Sequence, residues 1–75
     1  LERVALERLD AGALLPTSEV RGGEEILVLS GALADGEGTY GERTWIRNPD
    51  GYRRALRSKQ GAVYWTKRGH LPREA

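Results

Sequence analysis

Asn48-Pro49-Asp50-Gly51 is the strongest turn signal in the chain, because Pro49 presets φ and Gly51 accepts the positive φ that follows. The runs on either side of it are of strand length. Glu24 to Ser30 reads E-E-I-L-V-L-S between Gly22-Gly23 and Gly31, is apolar on both faces at its centre, and reads as a buried strand. Ala34-Asp35-Gly36 carries an Asp-Gly hairpin signal, and Thr39 to Arg47 follows with Tyr40, Thr44, Trp45 and Ile46 as strand formers. Tyr52 to Arg57 and Ala62 to Lys67 are two further strands, separated by the turn-like Ser58 to Gly61. Arg3 to Leu9 fits a strand or a short helix, since Val4, Leu6 and Leu9 do not decide between periods of two and 3.6. Short strands with turn signals every eight to twelve residues predict an all-β sandwich or barrel without a long helix. The polar tail from Arg68 to Ala75 is expected to be loosely held.

With 75 residues, 39% hydrophobic and 31% charged, residues 1–75 make one small, soluble domain rather than a disordered chain. No apolar run approaches the ~20 residues of a membrane span. The absence of cysteine excludes disulfides, thiolate metal sites and thiol catalysis. The single histidine, His70, excludes a poly-histidine metal site within one chain, makes a Ser-His-Asp triad with Ser18, Ser30 or Ser58 improbable, and is expected to be solvated. Glu24 and Glu25 are adjacent in a strand and face opposite ways, so they form no facing carboxylate dyad. The chain opens at Leu1 without methionine, as an excised or processed fragment would, and the default compartment is the cytoplasm.

Residues 1–40 hold three basic and eight acidic side chains and residues 41–75 nine basic and three acidic, so −5 in one part faces +6 in the other. Arg43, Arg47, Arg53, Arg54, Arg57 and Lys59 beside Trp45 and Tyr52 give a nucleic-acid surface its best case. A net charge of +1, with neighbouring positions alternating between the faces of a sheet, argues against it.

Gly22 to Gly31 followed by Trp45 to Gly51 resembles the cupins, and within them the ChrR-type cupin domains, which occur as the sensory half of zinc-dependent anti-sigma factors and as free-standing small proteins. The resemblance spans roughly residues 2–69. The first cupin motif falls on Gly12, Ser18, Val20, Glu24 and Gly31, matching both glycines and the glutamate and neither histidine. The second falls on Arg43, Pro49, Gly51, Arg54 and Ser58, matching the turn and not the histidine. The resemblance implies an all-β cupin fold, a small double-stranded β-helix or jelly-roll barrel, and a homodimer. It also implies a metal held by three imidazoles and a carboxylate, of which only Glu24 is retained. Serine, valine and a protonated guanidinium do not replace imidazole ligands, so no metal and no other cofactor is expected.

Glu24 and Arg54 then occupy two of the four pocket positions, with Ser18 at a third. An inward Arg54 paired with Glu24 would offer unused donors to a small anionic ligand. A one-residue change of register would instead turn Arg53 inward. Trp45, Tyr64 and Trp65 either line a ligand pocket or are core and dimer-contact residues, and Leu27, Leu29, Tyr64 and Trp65 are the apolar surface expected at a dimer contact. The expected function is a ChrR-like module that binds a small ligand, senses, or mediates an interaction. A sigma factor is implied as partner only where the domain belongs to a longer anti-sigma protein. The alternative is a metal-dependent cupin enzyme using the degenerate site, distinguished by the metal content of the purified protein.

Overall fold

The computed structural model describes residues 3–69, and of residues 16–18 the backbone alone. Eight strands are formed: β1 (Arg3–Leu9), β2 (Leu14–Val20), β3 (Glu24–Gly31), β4 (Leu33–Ala34), β5 (Thr39–Tyr40), β6 (Trp45–Asn48), β7 (Tyr52–Arg57) and β8 (Ala62–Arg68). They make two four-stranded sheets, β1-β8-β3-β6 and β2-β7-β4-β5, in which every pairing is antiparallel. No helix occurs among the described residues, so none there is long and apolar enough to cross a membrane.

Alternation along the strands decides what lies between the sheets. Ile26 and Val28 on β3, Ala62 and Tyr64 on β8, Leu9 on β1, Leu33 on β4 and Leu56 on β7 are buried together, with Ala13, Leu15, Tyr40 and Ile46 packed against them. The same alternation carries Glu24 inward from β3 and Arg54 inward from β7, at the opposite end of their strands from Val28 and Leu56. The apolar core therefore fills one end of the sandwich and a charged layer closes the other.

Arg3 to Leu9 is a strand because it pairs along its whole length with β8. Two sequence expectations are corrected. Thr39 to Arg47 is not one strand: it divides at Gly41–Thr44 into β5 and β6, which lie in different sheets, and Arg43 there takes a φ of 66°, a left-handed conformation that breaks the extended run. Arg68 is not part of a loose tail, since it ends β8 opposite both Arg3 and Glu24; residues 70–75 of that tail lie outside the described residues.

β2 was not expected from the sequence. It is an edge strand whose register shifts between Leu15 and Ser18, around Pro16, which has no N–H to give to a ladder. Gly31 takes a φ of 72° and lies so near Gly61 that a Cβ would collide with the Gly61 carbonyl. Only glycine meets both demands, and this close approach accompanies the bulge by which β3 leaves Val28 before pairing Gly31 with Ala62.

Candidate functional site

Glu24 is the hub of the charged layer and is fully buried, with 0% exposure. Its cross-strand neighbours within the sheet are Asn48 on β6 and Arg68 on β8, and Arg54 reaches it from the other sheet. Asn48 Nδ2 donates to Glu24 Oε1 at 3.2 Å, Arg54 Nε donates to the same oxygen at 2.8 Å, and Arg68 Nε donates to Oε2 at 2.8 Å. Arg68 Nη2 also lies 3.6 Å from Glu7 Oε2, and Glu7 is the cross-strand neighbour of Tyr64. Burial pushes the Tyr64 phenol up to about 12, with the Glu7 charge adding to the rise and Arg54 and Arg68 opposing it.

Of the two arginines that alternation left open, Arg54 is inward and buried while Arg53 is exposed. Its Nη1 is buried and has no hydrogen-bond partner among the described residues. Beside it opens a cavity of about 80 Å³ lined by Glu19, Val20, Arg21, Arg54 and Arg68. Arg21 and Glu19 form an ion pair of 3.5 Å at its rim.

The four motif positions come together in space. Val20 is buried and lines this cavity, and the backbone of Ser18 pairs with that of Arg54 across β2 and β7. Trp45 does not join them. It sits on the outer face of its sheet, 53% exposed, with its ring 5.8 Å from that of Trp65 and its Nε1 donating to Glu25 Oε1 at 3.2 Å. Tyr64, expected at a dimer surface, is interior at 2% exposure. The basic residues singled out in the sequence scatter, with Arg54 inside, Arg47 on the outer face of one sheet, and Arg53 and Arg57 on the outer face of the other.

A divalent metal does not fit here. Both oxygens of Glu24 accept from guanidinium groups, Val20 offers no donor atom, and Arg54 would repel a cation from the position where a ligand is required. Among the described residues no group of three or more His, Cys, Asp or Glu side chains is arranged to hold a metal ion.

Sequence reasoning missed Arg68, Asn48 and Glu7. The signal was present as phase: Arg68 continues the inward alternation of Ala62, Tyr64 and Thr66, and Asn48 that of Ile46.

The arrangement of sheets has close counterparts in solved structures. The anti-sigma factor ChrR, in complex with SigE of Rhodobacter sphaeroides, superposes with a TM-score of 0.84 at 18% identity, covering 91% of this chain and 39% of that one. A protein of unknown function with a cupin-like fold from Ralstonia eutropha JMP134 gives 0.81 at 14% identity, over 89% of this chain and 46% of that one. A conserved protein of unknown function from Streptococcus pyogenes gives 0.78 at 22% identity, over 99% and 67%. This chain thus spans less than half the length of the first two. No curated protein matches it. The likenesses establish an all-β cupin fold, and the profile of the ChrR cupin-like domain matches residues 2–72, almost the whole sequence. The chain belongs to the ChrR cupin-like domain family.

Proposed function

We propose that this domain is a ligand-binding module in which Glu24, Arg54 and the Ser18 position, with Arg68, form a site for a small oxyanion in place of a metal. The observation that carries the reading is the buried Arg54 Nη1, without a partner among the described residues, beside a cavity that Arg54 itself lines. Leaving a buried donor unmade costs about 1–3 kcal/mol, and an acceptor oxygen removes that cost. Two guanidiniums against the Glu24 carboxylate leave one positive charge, which Glu7 offsets from beyond Arg68. With Glu7 included the charges balance, so the layer opposes a polyanion and would take a singly charged group through hydrogen bonds to Arg54 rather than through net charge. At ~30 Å³ per water, the cavity has room for two or three waters, or for one carboxylate of a ligand whose remainder extends outward. Trp45, on the other side of its sheet, is outside this site.

Two copies associate in this reading, because the outer face of the β1-β8-β3-β6 sheet leaves Val4, Leu6, Leu29 and Trp45 exposed. A sigma factor is proposed as partner only where the domain forms part of a longer anti-sigma protein, as ChrR does in its complex with SigE.

The test is an NMR titration with acetate that follows the arginine Nε–Hε resonances. Saturable shifts at Arg54 and Arg68, absent in Arg54→Lys and absent with chloride at equal ionic strength, support the site. Shifts spread evenly over exposed arginines would reject it.

A further inference from the structure

We propose that the cleft between β4 and the turn joining β7 to β8 binds a phosphate monoester with a small apolar body, its phosphoryl group held between Arg57 and Lys59. The site is separate from the one proposed above. Arg54 lies three residues earlier on β7 with its side chain between the sheets, whereas Arg57 faces outward.

The turn is fixed before anything binds. Ser58, at the last position of the second motif, is buried, and its hydroxyl donates to the Ala32 carbonyl at 2.5 Å. Its N–H donates to the Ala13 carbonyl at 3.2 Å, and its carbonyl accepts from the Gly12 N–H at 2.7 Å. At the far end of the turn the Gly61 carbonyl accepts from the Ala32 N–H at 3.2 Å. Both ends of Ser58 to Gly61 are thus tied to Ala32, and the turn forms a wall facing β4. A site built in this way loses little freedom when a ligand enters.

Between the walls is a cavity of about 180 Å³, in which Ala32, Leu33 and Ala34 supply apolar surface. Arg57 and Lys59, on either side of the buried Ser58, are exposed and line it. Arg57 is held in place by pairing with Leu14 on β2 and Ala34 on β4. Thr39, the cross-strand neighbour of Ala34, and Gln60 add a hydroxyl and an amide. Among the described residues no carboxylate lines the cavity, and neither cation has an ion-pair or hydrogen-bond partner for its side chain.

Two cations with no carboxylate between them match the charge of about −1.5 to −2 that a phosphate monoester carries near pH 7. A guanidinium fork donates to two phosphoryl oxygens at once, and an ammonium adds a compact charge beside it. The balanced layer around Glu24 opposes such a group, so the two sites select different anions. At ~30 Å³ per water the cavity holds about six waters, enough for a phosphoryl group and a body of a few carbon atoms. A polymer of phosphates finds no continuing track, because Arg53, the next cation along this face of β7, lies opposite Glu19.

The test is an NMR titration of the protein with butyl phosphate at fixed ionic strength, followed at the backbone amides. Saturable shifts are expected at Ala32 to Ala34, Thr39 and Arg57 to Gly61, and none at Arg54. Arg57→Gln and Lys59→Gln should each weaken binding at least about tenfold, since each removes a charged donor from the phosphoryl group. Both positions are exposed, so the fold is expected to be unchanged by circular dichroism. Arg53→Gln, the same change of charge outside the cavity, should bind as the wild type does. Inorganic phosphate and butanol, the head and the body alone, should each bind at least about tenfold more weakly than the ester. Equal losses in Arg53→Gln and Arg57→Gln would reduce the effect to general charge attraction and overturn the site. Butanol binding as tightly as the ester would overturn the phosphoryl assignment, and inorganic phosphate doing so would overturn the role of the apolar surface. Shifts confined to Arg54 and Arg68 would place the ester in the charged layer and overturn this site.

Discussion

Arg54 Nε donates to Glu24 Oε1 at 2.8 Å across the space between the two sheets, and both side chains are buried, at 6% and 0% exposure. The pair closes the sandwich at the end opposite the apolar core. A buried ion pair adds little over a well-packed apolar pair, but removing one partner leaves the other charge desolvated and uncompensated.

Arg54→Ala is therefore expected to cost about 3–5 kcal/mol, read from chemical denaturation. Arg57→Ala, exposed on the same strand, should stay within about 0.5 kcal/mol. Arg68→Ala belongs between them, because Arg68 is 37% exposed and Arg54 still compensates Glu24 in its absence. Equal losses at positions 54 and 57 would show that the buried pair does not hold the sheets together.

Gly31→Ala should destabilise by more than about 1 kcal/mol, since its φ of 72° disfavours any side chain and the Gly61 carbonyl occupies the space of a Cβ. Gly36→Ala, with open space around it, should change stability by no more than about 0.5 kcal/mol. A Gly31→Ala variant as stable as the wild type would mean that β3 and the Gly61 turn separate freely.

Alkaline stability should report on Tyr64. Its phenol is raised from 10.0 to about 12, chiefly by burial, so the folded state favours the protonated form. The stability this confers is fully present below pH 10 and is lost as pH rises toward about 12, because the unfolded chain releases the proton first. Tyr64→Phe should flatten that part of the stability curve. Tyrosinate absorbance that completes its titration near pH 10 would contradict the burial.

The strands most readable in the sequence were apolar runs of strand length bounded by turns, such as Glu24 to Ser30 and Ala62 to Lys67. β2 escaped because Pro16 shifts its register, and the division of β5 from β6 because nothing marks Arg43 for a positive φ. Motif spacing found Glu24 and Arg54, since both are fixed relative to turns. Arg68 was lost to its charge: a basic residue near a polar terminus reads as solvated, although alternation from Tyr64 and Thr66 places it inside. That Leu6, Trp65, Leu27 and Trp45 are neighbours across one sheet was invisible, because they come from four strands and only register brings them into line.

Acetate should stabilise the fold if the Arg54 site binds a carboxylate. A ligand that binds only the folded state raises stability by RT ln(1 + [L]/Kd), which is about 1.4 kcal/mol at ten times Kd. For a domain of this length, each kcal/mol moves Tm by about 4–8 °C, so a rise of about 6–11 °C is expected at that concentration, beyond the change in sodium chloride of equal ionic strength. Arg54→Lys keeps the charge but loses the guanidinium fork, with its Nε bond to Glu24 and its unpartnered Nη1, and the acetate-specific rise should vanish. Arg57→Lys, on the outer face, should retain it in full. The same rise in wild type, Arg54→Lys and chloride would assign the effect to general screening, and the buried donor would then be satisfied by water rather than by a ligand.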